Sequence, residues 1–247
     1  MSTVALSLLI FLFFATSLIG VVTGSNSLIT VPVMFQFGIE PRVAVATNMA
    51  GLVFMAIGGT IPFLRAGKID VRGLAPLLVL TAVSSAVGAS LVSIVTGDMM
   101  RVIVSIAMIV VALFILLRRP QVDALSPRRM LVTCILTFAL GVYGGLYSGG
   151  YVTILTAVLV GFAGLNFSEA VGSTKLINVV SSSIATIVFM WQGLVDYSLA
   201  AILAVTMFIG GYVGAVYATK LDETWLKRIF VGTVILLAIK TVYDLSL

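Results

Sequence analysis

Long apolar blocks separated by short polar breaks organise this chain, covering residues 4–38, 43–63, 74–95, 101–117, 130–162, 169–191, 197–218 and 226–245. Apolar runs of about 18 residues or more are long enough to cross hydrocarbon as a helix. The pattern predicts an all-α protein, a polytopic bundle of transmembrane helices. The stretch 118–129 holds four arginines, two prolines and Asp123, and it is the one linker in the pattern. It divides the chain into a first membrane unit, 1–117, and a second, 130–247.

The two units resemble each other. Ala44-Val45-Ala46-Thr47-Asn48 matches Ala170-Val171-Gly172-Ser173-Thr174, and Gly67-Lys68-Ile69-Asp70 matches Gly193-Leu194-Val195-Asp196. Val87-Gly88-Ala89 matches Val213-Gly214-Ala215, and Arg101 falls on Lys227. Every pair is offset by 126 residues, a register that chance would not keep. The expected plan is two homologous repeats of four segments each.

The first segment of each repeat, Val4 to Gly38 and Met130 to Phe162, is over 30 residues, too long for one span. Such a helix would measure about 50 Å against about 30 Å of hydrocarbon. Each has a helix-weakening centre: Gly20, Gly24, Ser25, Asn26 and Ser27 in one, Gly141, Gly144, Gly145, Ser148, Gly149 and Gly150 in the other. Either the chain crosses once as a broken helix, or it enters, turns at depth and returns to the same side.

Cations discriminate between these arrangements. A single crossing divides the loop Lys and Arg residues eight to five, whereas re-entry divides them ten to three. The second is the stronger positive-inside bias. It predicts broken, re-entrant first segments and inverted repeats, with the linker in the cytoplasm and both termini outside.

Composition sharpens the picture. Apolar residues make up 61% and charged residues 9%, and the mean hydropathy is +1.24. So few charges cannot cover a water-exposed surface. No Lys or Arg precedes Arg42, so the apolar N-terminus is expected to be retained structure rather than a cleaved leader. The net charge of +5 lies in short loops, a topology signal rather than a nucleic-acid footprint. Histidine is absent, which removes the commonest general base and the commonest metal ligand. Leu146-Tyr147-Ser148-Gly149-Gly150 lacks the first glycine of a nucleophile elbow and any base. The chain is therefore expected to be no enzyme and to carry no cofactor or metal. The single cysteine, Cys134, is expected to be a small buried hydrophobe.

Candidate chemistry gathers at the breaks. Non-helical backbone at membrane depth is tolerated only where protein or water satisfies it, and half-helix N-termini there favour anions. Thr23, Ser25, Asn26 and Ser27 in the first half, and Ser148 beside Gly149 in the second, offer donors; Gly24 permits close approach to the main chain. Lys175 is the basic residue set deepest inside an apolar span. On a helix it shares a face with Asn178 and Ser182, whereas the counterparts at the 126-residue offset are Met49, Leu52 and Ala56. The asymmetry implies one site rather than two. Snorkelling to a headgroup is the alternative for Lys175. With no Asp or Glu deep in a span, the partner is expected to be a small anion, and coupling to a proton or ion gradient stays open.

With these residues in view, the chain resembles the sulfite exporter TauE/SafE (sulfonate uptake permease) family. The features are the small-residue breaks leading to Thr30-Val31-Pro32, the duplicated motif at Ala44–Asn48 and Ala170–Asn178, the Gly-x-x-Asp turns and Val-Gly-Ala. The resemblance covers nearly the whole chain. It implies a bacterial inner-membrane carrier of small anions, often sulfur oxyanions or organosulfonates. The mechanism expected from the breaks and Lys175 is alternating access. It also implies that Thr47, Asn48, Ser173, Thr174, Lys175 and Asn178 lie near the substrate path. The first break, Thr23-Gly24-Ser25-Asn26-Ser27, is less glycine-rich than the family's. A passive anion channel and a non-transporting sensor or assembly subunit are the alternatives. Oligomeric state is open.

Overall fold

A computed structural model describes residues 3–24, 26–100, 102–103, 106, 127–222, 224–226, 228–229 and 232. Most of the expected fourth span of each half, and of the linker, therefore lies outside the described residues. The helices are α1 (Thr3–Thr23), α2 (Asn26–Gln36), α3 (Pro41–Arg65), α4 (Val71–Leu91, continued by a 3₁₀ turn Val92–Ile94), α5 (Pro127–Leu146), α6 (Tyr151–Phe162), α7 (Phe167–Trp191) and α8 (Tyr197–Ala218). Six of them, all but α2 and α6, are long and apolar enough to cross a membrane. The chain is a multi-pass, all-α membrane protein.

Polar residues at the breaks start these helices. The Glu40 carboxylate accepts from Val43 N with Pro41 at the first helical position. Asp70 accepts from Gly73 N and Asp196 from Leu199 N. Asn166 and Glu169 form a reciprocal capping box at the start of α7. Each cap satisfies an amide that has no helical partner.

Turn geometry repeats along the chain. Six glycines have positive φ, and they fall into three pairs, Gly24 and Gly150, Gly38 and Gly164, Gly67 and Gly193, each 126 residues apart. The α3 bounds Pro41–Arg65 shifted by the same interval give the α7 bounds Phe167–Trp191. The first of the glycine pairs marks the two breaks.

Close contacts fix the relative directions of the helices. Gly210 and Gly214 of α8 pack on Phe14, Ser17 and Leu18 of α1, in ascending order on both. Gly51 of α3 meets Leu203 and Met207, and Gly58 meets Phe208 and Tyr212. Thus α1, α3 and α8 run one way. Thr81 and Ser84 of α4 lie by Gly141 of α5, and Gly88 lies by Val142 and Leu146. Ser85 meets Ser181 and Ala89 meets Gln192, so α4, α5 and α7 are also parallel. Between the groups, Phe63 packs on Gly172 while Gly59 approaches Lys175, an antiparallel pairing of α3 with α7. Consequently α4 packs on the second half's α5 and α7, and α8 on the first half's α1 and α3.

The short α2 turns back along α3, since Thr30 and Ser27 both bond Asn48 before residues 37–40 lead into Pro41. Because α1 runs with α3, α1 and α2 approach depth from one end and return to it. The exterior is apolar, with Phe11 70% and Val79 67% exposed, as a lipid-facing surface requires. Cys134 is half-buried on α5 rather than fully buried, because α5 lies at the edge of the bundle and turns Leu131 and Ile135 outward.

Candidate functional site

The two breaks meet at the centre of the bundle. At the first, Gly24 has φ 71 and sits where a Cβ would lie 2.7 Å from Thr153 N. Both the left-handed backbone and the contact demand glycine. Across this junction Ser27 Oγ and Ser148 Oγ share a hydrogen bond of 2.7 Å. Thr153 Oγ1 donates to Thr23 O at 2.6 Å, and the Tyr147 hydroxyl donates to Ser27 O at 3.0 Å. Asn48 supports the first break from α3: its amide donates to Ser27 Oγ at 2.8 Å and its carbonyl accepts from Thr30 Oγ1 at 2.8 Å.

A cavity of about 10 Å³ lies at this junction, room for about one water molecule. Its polar wall is Asn26, Ser27, Ser148, Lys175 and Asn178. Leu52, Met55, Ala56 and Val152 supply the apolar wall, and the backbone of Gly20 and Gly24 closes it. The starts of α2 and α6 abut it, presenting the positive ends of two helix dipoles.

Lys175 sits near the middle of α7, 2% exposed. Its ammonium donates to Gly20 O at 3.3 Å, at the negative C-terminal end of α1. The side chain turns into the bundle and does not snorkel. Among the described residues the one ion pair is Arg42–Glu40 at 3.3 Å, on the surface. Glu169 is engaged with the Asn166 backbone instead. An ammonium can donate three hydrogen bonds, and a lysine at the centre of a span costs about 2.5–3.5 kcal/mol. Lys175 therefore brings an uncompensated cation to the cavity wall. The Asn26 side-chain oxygen is likewise buried without a partner among the described residues, while its amide touches Met55 Sδ at 3.4 Å.

Of the sequence candidates, Gly24, Asn26, Ser27, Ser148, Lys175 and Asn178 line the cavity. Ser182 Oγ donates to Asn178 Oδ1 at 3.2 Å, so the expected stripe on α7 forms. Thr23 contributes its carbonyl to the junction, and Asn48 lies one layer behind Ser27. Thr47 lies away from the cavity, accepting from Asp196 N at 3.0 Å. Thr174 faces Thr156 of α6 at 3.3 Å, and Ser173 is buried on α7. Gly149 accepts from the Tyr143 hydroxyl and is not on the wall. Ser25 lies outside the described residues. Sequence reasoning missed Leu52, Met55, Ala56 and Val152, which carry no polar signal, and Gly20 as the lysine's acceptor; Leu52 and Ala56 were visible only as counterparts of Asn178 and Ser182.

A helical membrane protein with a buried, cation-bearing hollow between two helix breaks has the architecture of a membrane transporter. Residues 8–241 match the family model described as "Sulfite exporter TauE/SafE", and the chain belongs to that family. It is 28% identical over 250 residues to "Probable membrane transporter protein ORF9" of Sinorhizobium sp, covering 99% of this chain and 96% of that protein. It is 26% identical over 249 residues to "Probable membrane transporter protein YfcA" of Escherichia coli strain K12, covering 98% and 91%. It is 28% identical over 199 residues to "Probable membrane transporter protein YdhB" of Bacillus subtilis strain 168, covering 77% and 80%. No solved structure matches the chain.

Proposed function

We propose that this protein is a secondary carrier of a small anion, with a sulfur-containing oxyanion or organosulfonate favoured, across the bacterial inner membrane. The observation that carries the proposal is the Lys175 ammonium, buried on the wall of a central cavity with no carboxylate partner among the described residues. In a medium of low dielectric such a cation gains most from a ligand of opposite charge. The N-termini of α2 and α6, with the hydroxyls of Ser27 and Ser148, supply further donors to the same anion. The family's description as sulfite exporters supports sulfur oxyanions as substrates.

The cavity's size and the way the halves interlock support alternating access as the mechanism. Space for one water does not admit a sulfonate, so the Ser27–Ser148 and Thr153–Thr23 contacts must separate to admit it. The antiparallel α3 and α7, and the three paired glycine turns, support an inverted relation between the halves that would open the cavity to either side in turn. Arg65, Lys68, Arg72, Arg129 and Lys220 all fall where α3 and α8 end and α4 and α5 begin. This supports a cytoplasmic assignment for that end, with both termini external.

Purified protein in proteoliposomes tests the function with labelled sulfite, thiosulfate, sulfoacetate, taurine and simple carboxylates. Saturable uptake of at least one anion, accelerated by unlabelled substrate on the far side, is expected. Uptake without such counterflow would mark a passive channel, and absence of flux for every anion would overturn the proposal.

A further inference from the structure

A second buried polar cluster lies between α4, α5, α6 and α7, about one helical turn along α7 from the cavity residue Asn178. Ser85 Oγ and Ser181 Oγ are 2.7 Å apart, and Ser85 also donates to Gly141 O at 3.3 Å. The Tyr151 hydroxyl reaches the side chains of Ser181 and Thr81, yet it forms no bond of hydrogen-bonding geometry with either. Thr81 Oγ1 and Thr137 Oγ1 are also without partners among the described residues. Thr81, Thr137, Tyr151 and Ser85 are each 0% exposed. Thr137 is one helical turn before Gly141 and on the same face of α5.

Buried hydroxyls normally pair with each other or with backbone. Here Ser85 and Ser181 pair with each other, while the Thr81, Thr137 and Tyr151 oxygens beside them do not, an arrangement that leaves those three to share a ligand. The equivalent positions in the other half, 126 residues away, are Met207 for Thr81, Gly211 for Ser85, Met55 for Ser181 and Phe11 for Thr137. The oxygens are therefore not needed to pack this motif. Among the described residues no group of three or more His, Cys, Asp or Glu side chains gathers anywhere, which disfavours a divalent cation. Neutral hydroxyls and a main-chain carbonyl suit a small monovalent cation.

We infer that Thr81, Ser85, Thr137, Tyr151 and Ser181, with the Gly141 carbonyl, form a sodium-class cation site beside the anion cavity. The two sites share α7 and the second break: Ser181 sits one turn beyond Asn178, and Tyr151 lies between Ser148 and Val152 of the cavity wall. A cation bound here offsets the charge of the anion and so lowers the work of moving the pair across a polarised membrane.

The site is tested without any substrate, so its outcome is independent of the anion proposal. Melting temperature of the purified protein is followed as choline chloride is replaced by NaCl or KCl at constant ionic strength. Sodium is expected to raise it saturably, by about 3 °C at roughly ten times its dissociation constant, with a smaller rise in potassium. Thr81→Val and Ser181→Ala, each close in volume to the native residue, are expected to abolish the sodium increment. Equal melting in sodium and choline for the unmodified protein would mean the cluster holds water only and would overturn the inference. Retention of the increment in both variants would overturn the assignment to these residues.

Discussion

Helices α3 and α7 are the same length, begin at capped turns 126 residues apart and pack on each other, yet they bring opposite chemistry to the cavity. α3 presents Leu52, Met55 and Ala56, whereas α7 presents Lys175 and Asn178, with Ser182 bonded behind. The same division extends outward, since α4 brings Thr81, Ser84 and Ser85 where α8 has Met207, Gly210 and Gly211. Backbone geometry is duplicated while side-chain chemistry is concentrated on one side. A solute between them meets a polar wall and an apolar wall, so α3 acts as a shaped counter-surface and α7, with the two breaks, as the binding surface.

The comparison can be broken first at its shared backbone. Gly24→Ala faces both a left-handed backbone and a Cβ 2.7 Å from Thr153 N. The expected loss is about 3 kcal/mol, from the handedness penalty and overpacking together. Gly67→Ala and Gly193→Ala have equally positive φ but nothing within 4 Å of the added carbon, so each is expected to lose only about 1–2 kcal/mol. Thermal unfolding of the three variants in detergent reads the difference; equal losses would mean that the junction does not constrain Gly24.

A smaller effect is expected across the junction itself. Single and double replacement of Ser27 and Ser148 by Ala should give a coupling of about 0.5–1.5 kcal/mol, because each hydroxyl is the other's partner. A coupling of zero would mean that the halves are held by packing alone. Smaller again is the capping comparison. Asn166→Ala, which breaks the box starting α7, should cost about 1 kcal/mol by the same unfolding measurement. Glu40→Ala at the partly exposed start of α3 should cost no more than that.

Much of the fold was legible in the sequence because hydrocarbon imposes length and glycine imposes breaks. The expected block 197–218 is α8 to the residue, and 169–191 falls two residues short of α7. The break at Gly24 and the face shared by Lys175, Asn178 and Ser182 were legible for the same reasons. Neighbour relations were not. A lipid-facing side chain and a core side chain are both apolar, so no 3.6-residue polarity pattern marks which face packs inward. That is why the packing of α4 on α5 and of α8 on α1 is visible only in three dimensions, as is Gly20's bond to Lys175. Thr47 and Thr174 illustrate the converse: polar residues inside a motif whose hydroxyls are engaged by main-chain groups and do not reach the cavity.

The central claim, that the buried ammonium exists to hold an anion, is tested most directly by Lys175→Met. Replacing an unpaired buried charge with an apolar chain of similar length leaves folding unharmed or improved. The melting temperature is therefore expected to hold or rise while anion flux in proteoliposomes falls at least about 30-fold. Undiminished flux from a correctly folded Lys175→Met protein would contradict the account.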